Sequence, residues 1–200
     1  TDTLTGERID IRARTVINAT GVWAGTLDDG LTLRPSRGTH IVLDAADLGD
    51  PAAALTIPLE GSISRYVFAL PQRGGRVLVG LTDVDAPGPI PSVAEPTEAE
   101  IGFLLETLNR LLAVPVARDR VCGAFAGLRP LVDTGAAETA DVSRRHLVRA
   151  SASGVISVLG GKLTTYRRMA EDAVDLAVRQ YGLRAGPSGT ATLRLIDDPA

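Results

Sequence analysis

The sequence is poor in cysteine, histidine and lysine, and the first two shortages argue against metal chemistry. Cys122 is the one cysteine in 200 residues, so the chain has no internal disulfide and no cluster of thiolate ligands. The two histidines, His40 and His146, leave little for a metal site built on imidazole. We therefore predict that the protein carries no metal centre.

The chain also lacks a basic stripe and a long apolar run. Its formal net charge is −3, with acidic and basic residues spread along the sequence, which favours neither nucleic acid nor an anionic membrane surface as a partner. No apolar run approaches the roughly 18 residues of a membrane span, and residues 1–16 do not have the pattern of a signal peptide. Together with 44% hydrophobic residues, these features predict a globular protein of the cytoplasm.

The G-x-G-x-x-G fingerprint of dinucleotide-binding domains is missing as well. The chain begins with a strand-like alternation around Ile9, Ile11 and Ala13 that has no earlier partner, so we expect further residues upstream of Thr1. Residues 183–200 contain the glycines and proline that are typical of a linker.

Most of the remaining pattern is that of β-strands. Thr39, Ile41 and Leu43 alternate with their neighbours, and Gly74-Gly75 separates two strand-like runs in the manner of a hairpin turn. This pattern predicts an antiparallel sheet with one face exposed. Further strands are predicted at "RVCGAFAGLRPLVD", "HLVRAS" and "VISVL".

Two helices are predicted. Thr97 and Glu100 form a capping box at the start of the first helix, which Pro115 ends. Its apolar face comprises Ile101, Leu104, Leu105, Leu108, Leu111 and Leu112. The second helix is predicted from about Leu163 to about Tyr181, before a terminating glycine. Its apolar face comprises Met169, Ala170, Ala173, Val174, Ala177 and Val178.

Lys162 is the only lysine beside 20 arginines, which indicates a position that needs a compact ammonium in place of a planar guanidinium. It follows Gly160 and Gly161 at the predicted start of the second helix, where free backbone N–H groups and the helix dipole favour negative charge. Thr164 can cap the helix or donate a hydroxyl bond. Both an anion-binding turn and an ordinary βα turn with sterically required glycines satisfy this pattern.

A second turn of small residues, Asn18–Gly21, follows the predicted first strand. A nucleotide or its phosphates can lie on such a turn, although without the glycine fingerprint the signal is weak by itself. Trp23, the only tryptophan, is more typical of core packing than of a stacking platform.

His40 and Arg129 are the two other candidate site residues. The alternation places His40 on the opposite side of its strand from Ile41, where an imidazole can take a proton from a substrate hydroxyl. Arg129 lies between Gly127 and Pro130, and a guanidinium held in this way suits a phosphate or a carboxylate. A structural hydrogen bond from the histidine and a structural ion pair of the arginine give the same patterns.

Taken together, these motifs resemble the FAD-dependent (respiratory, aerobic-type) glycerol-3-phosphate dehydrogenases. The matching stretches occur in the family's order across about residues 10–182. They are "VINATGVW", "RPSRGTHIVLD", "VFALPQRGGRVLVGLTDVD", "EAEIGFLLETLNRLLAVPV", "GAFAGLRPLVD", "SRRHLV" and "VISVLGGKLTTYRRMAEDAVD". The ordered set is specific, with "GLRPL" and "GGKLTTYR" both present.

The resemblance implies a mixed α/β fold (α+β) in which a Rossmann-like FAD-binding domain is interrupted by a substrate domain with a large antiparallel sheet. Residues 1–27 and 121–182 would then belong to the FAD-binding domain and residues 28–120 to the substrate domain. Residues 183–200 would lead toward a C-terminal domain. The family also has an N-terminal G-x-G-x-x-G unit and a C-terminal helical domain, so the resemblance implies an internal fragment, which need not be active alone.

The implied reaction is the oxidation of sn-glycerol 3-phosphate to dihydroxyacetone phosphate. Hydride would pass from C2 to N5 of FAD, and electrons would move on to a membrane quinone, with peripheral attachment of the parent enzyme to the inner face of the plasma membrane. By position, Arg129 would bind the substrate phosphate, His40 would accept the C2 hydroxyl proton, and Lys162 would lie beside flavin and substrate. The implied cofactor-binding residues are Asn18, Ala19, Thr20, Gly21, Gly160, Gly161, Lys162, Leu163 and Thr164.

Two alternatives stay open on the sequence. An amino-acid or sarcosine-type flavin oxidase also carries an arginine after a G-x-R-P turn, where it binds a carboxylate. A non-catalytic binding module is the second alternative. Activity toward glycerol 3-phosphate against N-methylglycine distinguishes the two enzymes.

Overall fold

Two β-sheets organise the chain, one in each of two units. The structure, a computed structural model, describes residues 1–62, 65–133 and 146–194. The first unit contains Thr1–Thr32 and Ser143–Ala200, and the second contains Leu33–Val142. None of the helices in these described ranges is both long and apolar enough to span a membrane.

The strands, in chain order, are β1 (Ile17–Asn18), β2 (Leu33–Asp44), β3 (Leu55–Pro58), β4 (Tyr66–Gln72), β5 (Arg76–Gly80), β6 (Val84–Asp85), β7 (Gly123–Val132), β8 (Leu147–Ala150) and β9 (Ile156–Leu159). The α-helices are α1 (Glu98–Asn109) and α2 (Tyr166–Tyr181). Short 3-10 helices lie at Gly21–Thr26, Ala45–Leu48, Arg118–Arg120 and Leu163–Thr165.

The first unit is built on a three-stranded sheet in the order β1-β9-β8. β1 and β9 are parallel, with Ile17 opposite Ile156, and β8 runs antiparallel to β9. α2 contacts β8 and β9 and buries Ala173 and Ala177. Gly182 ends the helix in the left-handed conformation, at φ 58°, as the sequence predicts.

The prediction of a strand around Ile9 and Ile11 is wrong. Both side chains are exposed, at 61% and 84%, and the regular strand is only the two residues of β1. Alternating residues become a strand only where a partner supplies ladder hydrogen bonds and a core covers one face. Among the described residues, the segment before β1 has neither.

The second unit contains a six-stranded sheet. The order is β3-β4-β5-β2-β6, and β7 pairs with β2 on the edge opposite β5 and β6. Thr39, Ile41 and Leu43 are fully buried on one face of β2, which confirms the predicted alternation. Gly74-Gly75 joins β4 to β5 with φ angles of 79° and 71°, which confirms the predicted hairpin.

α1 covers one face of this sheet. Thr97 and Glu100 form the predicted capping box, and the helix ends at Asn109, six residues before the predicted stop at Pro115. The core between helix and sheet includes Ile41, Leu43, Val67, Val77, Val79, Ile101, Leu104, Leu105 and Leu108. Leu111, which the sequence places on the apolar face, lies beyond the helix and is 55% exposed.

The structure places β7 differently from the sequence-based domain boundary at residue 121. That boundary groups residues 121–182 together, whereas β7 pairs with β2 from Leu33 opposite Val132 to Val42 opposite Gly123. The strand therefore belongs to the second unit, whose last residue is Val142. An apolar pattern identifies a strand but not the strand that will pair with it, so only the ladder with β2 shows where β7 lies.

Candidate functional site

His40 and Arg129 lie on one face of the second unit's sheet. In the pairing of β2 with β7, Ser36 is opposite Arg129 and His40 is opposite Phe125. Residues that lie directly opposite each other point to the same face, and Thr39, the neighbour of His40, points to the α1 side. Both candidate residues thus lie on the face that α1 does not cover.

Arg129 is held by several contacts at the end of β5 and the start of β2. Its Nη1 donates to Ser36 Oγ at 3.1 Å and to Asp83 Oδ1 at 3.3 Å, and its Nη2 donates to the Thr82 carbonyl at 3.1 Å. The hydroxyl of Ser36 also donates to Asp83 Oδ1. The Arg129 and Asp83 side chains are 22% and 20% exposed, so the guanidinium is oriented but still reachable.

Two opposed glycines form the floor between Arg129 and His40. The guanidinium leans over Gly38, where an added Cβ would be 2.9 Å from Arg129 Cζ and 2.7 Å from Leu81 Cδ1. Gly127 is directly opposite Gly38, and an added Cβ there would meet nothing within 4 Å among the described residues. The absence of a side chain at Gly38 lets the Arg129 guanidinium and Leu81 lie close against the sheet, and the surface beside Gly127 is open.

His40 is a neutral base in this site. Its ring stacks on Phe125 with centroids 5.1 Å apart and planes inclined by 12°. It also lies over Gly80, where an added Cβ would be 2.7 Å from its Cγ. Burial, and secondly the positive charge of Arg129, lower the pKa of His40 below its ordinary value of 6.5. The imidazole is therefore unprotonated at pH 7 and can accept a proton.

The spacing of the two side chains suits a small phosphate ester. The Arg129 guanidinium lies at Gly38, and His40 is two residues further along the same face, a step of about 7 Å along a strand. A three-carbon molecule with an anionic group at one end and a hydroxyl in the middle spans such a gap. The arrangement can bind the anion and deprotonate the hydroxyl.

The two candidate cofactor turns come together in the first unit. The turn at residues 18–21 follows β1, and the turn at residues 160–164 follows β9. Because β1 and β9 are parallel neighbours, both turns lie at the carboxyl edge of the sheet, where α/β proteins bind their ligands. Gly160 and Gly161 have φ angles of 68° and 74°, which only glycine adopts without strain.

Lys162 and its neighbours are exposed at this edge. Lys162, Leu163 and Thr164 are all exposed, Leu163 at 88%. They precede or form a 3-10 turn, so α2 itself begins at Tyr166, slightly later than predicted. The hydroxyl of Thr165 closes the turn by accepting from the Lys162 N–H at 3.0 Å and donating to its carbonyl at 2.9 Å.

Asn18 is a structural residue of the first turn. Its buried amide donates to the Ala24 carbonyl at 2.9 Å and to Ser157 Oγ at 3.3 Å, and it accepts from the N–H and hydroxyl of Thr20. All four of its hydrogen-bonding positions are used, so the amide orients the turn at residues 18–21. Trp23 is 44% exposed, which corrects the prediction of core packing.

Sequence reasoning missed the residues that support these side chains. In the second unit these are Ser36, Thr82, Asp83 and Phe125, and in the first unit they are Asp28, Arg149 and Ser157. Polar residues inside otherwise apolar strands, such as Ser36 and Ser157, are the signal that could have found some of them. Within the described ranges, no group of three or more histidine, cysteine and acidic side chains is arranged to hold a metal ion.

Comparison with known proteins identifies the family of the chain. Residues 1–167 match the model of the DAO family, FAD dependent oxidoreductase. The chain therefore belongs to the family of FAD-dependent oxidoreductases.

Within this family, the chain is most informatively compared with glycerol-3-phosphate dehydrogenases. It is 55% identical to glycerol-3-phosphate dehydrogenase 1 of Mycobacterium tuberculosis, over 100% of this chain and 40% of that protein. It is 41% identical to the mitochondrial glycerol-3-phosphate dehydrogenase of Bos taurus, over 97% of this chain and 27% of that protein. The chain thus spans about two fifths of the length of its mycobacterial relatives.

A solved structure gives the same result for the fold. The X-ray structure of the glycerol-3-phosphate dehydrogenase from Bacillus halodurans complexed with FAD has a TM-score of 0.75 with this chain and is 30% identical. The match covers 90% of this chain and 35% of that one. This chain has a mixed α/β architecture with an antiparallel sheet, as the sequence predicts.

The first unit fits a flavin nucleotide by the chemistry of its carboxyl edge. Gly160 and Gly161 present backbone without side chains, and the exposed Lys162 supplies a positive charge next to them. Backbone N–H groups and a cation are the usual partners of the anionic parts of such a cofactor. An ammonium also stabilises negative charge on the ring system.

Proposed function

We propose that the enzyme to which this chain contributes oxidises sn-glycerol 3-phosphate to dihydroxyacetone phosphate, with FAD as its cofactor. The observation that carries this proposal is that Arg129, oriented by Ser36, and His40, whose pKa is lowered, lie on one sheet face, with the guanidinium at Gly38, two residues along the strand from His40. The 55% identity to a mycobacterial glycerol-3-phosphate dehydrogenase supports the same substrate.

Arg129 binds the phosphate in this proposal. Its guanidinium is a planar fork whose orientation is set by Ser36, Thr82 and Asp83, and such a fork matches the oxygens of a phosphate. Binding at this end places the rest of the substrate toward Gly127, beside which the described residues leave open space. The middle carbon of the substrate then lies toward His40.

His40 accepts the proton of the C2 hydroxyl. Oxidation of a secondary alcohol removes one proton from oxygen and one hydride from carbon, so the reaction needs a base and a two-electron acceptor. FAD, when bound, supplies the acceptor. The lowered pKa of His40 keeps the imidazole unprotonated at neutral pH, and stacking on Phe125 holds the ring in place for the transfer.

Cofactor binding falls to the two turns of the first unit. Gly160, Gly161, Leu163 and Thr164 offer backbone groups to the flavin, and Lys162 stabilises negative charge on it. Ala19, Thr20 and Gly21 form the second contact, on a turn whose shape depends on the Asn18 amide. The resemblance also supports transfer of electrons to a quinone, by a cytoplasmic enzyme bound peripherally at the inner face of the plasma membrane.

The test is anaerobic bleaching of the flavin-loaded enzyme. Glycerol 3-phosphate should bleach the visible absorbance, glycerol should do so far less well, and N-methylglycine should not. Arg129→Gln should weaken the response to glycerol 3-phosphate by a factor of about 100, the range expected for loss of one charge-assisted contact. Bleaching by N-methylglycine instead would show that the arginine serves a carboxylate and that the protein is an amino-acid oxidase.

A further inference from the structure

The segment Thr82–Asp83 joins two hydrogen-bond networks on opposite faces of the second unit's sheet. On the α1 side, the Thr82 hydroxyl donates to Glu100 Oε1 at 2.8 Å and accepts from the Thr39 N–H at 2.9 Å. On the other side, its carbonyl accepts from Arg129 Nη2 at 3.1 Å. One residue thus connects the helix cap with the candidate substrate arginine.

The network on the α1 side is a rigid anchor. Glu100 is only 4% exposed and accepts from Thr39 Oγ1 at 3.0 Å, from Arg37 Nε at 2.8 Å and from Thr97 Oγ1 at 2.8 Å, besides Thr82. Because the buried Thr39 and Thr82 hydroxyls would lose their acceptor if Glu100 moved, the arrangement of these groups is stabilised. Thr82, itself 3% exposed, is part of that arrangement.

The network on the other face controls the orientation of the guanidinium. Ser36 and Asp83 engage Nη1, and the Thr82 carbonyl engages Nη2, so contacts act on both ends of the fork. Ser36 is fully buried and donates to Asp83 Oδ1, which fixes the carboxylate in turn. Rotation about the last bonds of Arg129 therefore breaks two or more hydrogen bonds at once.

We propose that Thr82, Asp83 and Ser36 are positioning residues for Arg129, and that they aim its guanidinium fork over Gly38 for a phosphate ester. This inference rests on the proposed function of the site. Asp83 acts as a hydrogen-bond acceptor in this role. Its negative charge works against an incoming phosphate, and the site tolerates that charge because an oriented fork binds better than a freely rotating one.

A pair of Asp83 variants separates acceptor from charge. Asp83→Asn keeps an acceptor oxygen and removes the charge, so it should bind glycerol 3-phosphate at least as tightly as the unmodified enzyme. Asp83→Ala removes both and should raise KM for glycerol 3-phosphate by about tenfold, the scale of one lost hydrogen bond to a charged group. Ser36→Ala should act in the same direction as Asp83→Ala.

A direct readout of the guanidinium is available by NMR on the chain itself. Arginine Nη protons that are held by acceptors on both ends of the fork rotate slowly and give separate signals, and Arg129→Lys identifies which signals belong to Arg129. The Arg129 signals should be resolved in the unmodified chain and in Asp83→Asn, and averaged in Asp83→Ala. A purely structural role for Asp83 would change the unfolding midpoint and leave these signals as they are.

The role of the Thr82 hydroxyl can be tested with a matched control variant. Thr82→Val keeps the shape of the side chain and loses the hydroxyl, so it should both lower stability and weaken binding of glycerol 3-phosphate several-fold. Leu105→Ala truncates a buried residue of α1, the helix that carries Glu100. Leu105 is 6% exposed and is not part of the hydrogen-bond network of Glu100. It should lower stability by as much or more and leave binding unchanged.

The outcomes distinguish this inference from the proposed function. If Asp83→Ala and Asp83→Asn alter KM and the Arg129 signals equally, or alter neither, the positioning role is wrong while Arg129 still binds the phosphate. If the unmodified enzyme does not respond to glycerol 3-phosphate, or Arg129→Gln leaves the response unchanged, the proposed function fails and the positioning role fails with it.

Discussion

The imidazole of His40 stacks on the ring of Phe125 at a centroid distance of 5.1 Å. The two residues lie directly opposite each other in the pairing of β2 with β7. This contact buries the base from one side while the guanidinium of Arg129 lies on the same sheet face. The combination makes the charged form of His40 unfavourable for two independent physical reasons, desolvation and repulsion between like charges.

The first prediction concerns the titration of His40. Because burial first and Arg129 second lower its pKa, Arg129→Gln should raise that pKa toward 6.5 and Phe125→Ala should raise it by exposing the ring. The chain has two histidines, so the NMR signals of the imidazole C–H groups can be assigned with His40→Asn. A His40 pKa that does not rise in either variant would contradict the assigned causes.

The same shift predicts the pH dependence of activity. His40 must be unprotonated to accept a proton, so kcat/KM should fall as the pH is lowered through its depressed pKa, at a pH below 6.5. In Phe125→Ala the acid limb should move to higher pH. His40→Asn should lower kcat/KM by a factor of about 100 or more and remove this limb, in line with loss of a general base. An acid limb that persists unchanged in His40→Asn would assign the base to another group.

The second prediction concerns the glycine floor. Gly38→Ala brings a methyl group to 2.7 Å from Leu81 Cδ1 and 2.9 Å from Arg129 Cζ, so the guanidinium must move and binding of glycerol 3-phosphate should weaken about tenfold. Gly127→Ala is the matched control for folding, since the added Cβ meets nothing within 4 Å among the described residues. Its free energy of unfolding should stay within about 0.5 kcal/mol of the unmodified chain. Thermal and urea unfolding check this difference.

The third prediction concerns Glu100 and acid stability. Burial raises the pKa of Glu100, but hydrogen bonds from Thr97, Thr82 and Arg37 together outweigh it, so the pKa lies below its ordinary value of 4.5. The proton is thus bound more tightly in the unfolded chain. This contribution to stability is present above pH 4.5 and is lost as the pH falls through the native pKa.

Glu100→Gln should therefore lower the free energy of unfolding by about 2 kcal/mol at pH 7, and the difference should shrink as the pH is lowered below 4.5. Glu98→Gln is the control, because Glu98 lies in the same first turn of α1 but its ion pair with Arg118 is exposed. Urea unfolding at several pH values measures both. A constant difference between Glu100→Gln and the unmodified chain at all pH values would show that the carboxylate charge is not involved.

The fourth prediction concerns Lys162. Its exposed side chain makes it dispensable for folding, while in the proposed function its charge next to the glycine turn would stabilise negative charge on a bound flavin. Lys162→Met should slow flavin reduction by glycerol 3-phosphate and lower the flavin redox potential, and Lys162→Arg should recover part of both. Stopped-flow absorbance and spectroelectrochemistry measure the two effects. Unchanged reduction kinetics in Lys162→Met would remove the lysine from the mechanism.

Local sequence alone determined the elements that depend on near neighbours. The capping box of Thr97 and Glu100, the glycine hairpin at Gly74-Gly75 and the end of α2 at Gly182 all follow from interactions within a few residues. For that reason the pattern predicted them correctly. The alternation of β2 was equally readable, because burial on one face repeats every second residue.

The tertiary structure decided what depends on residues far apart in the chain. Arg129 meets Ser36 across 93 residues, and Asn18 meets Ser157 across 139, because β7 pairs with β2 and β1 pairs with β9. No spacing in the sequence specifies which strands pair, since an apolar strand offers the same backbone hydrogen bonds to any partner. The sequence therefore named the candidate site residues, and the pairing of strands decided which side chains orient them.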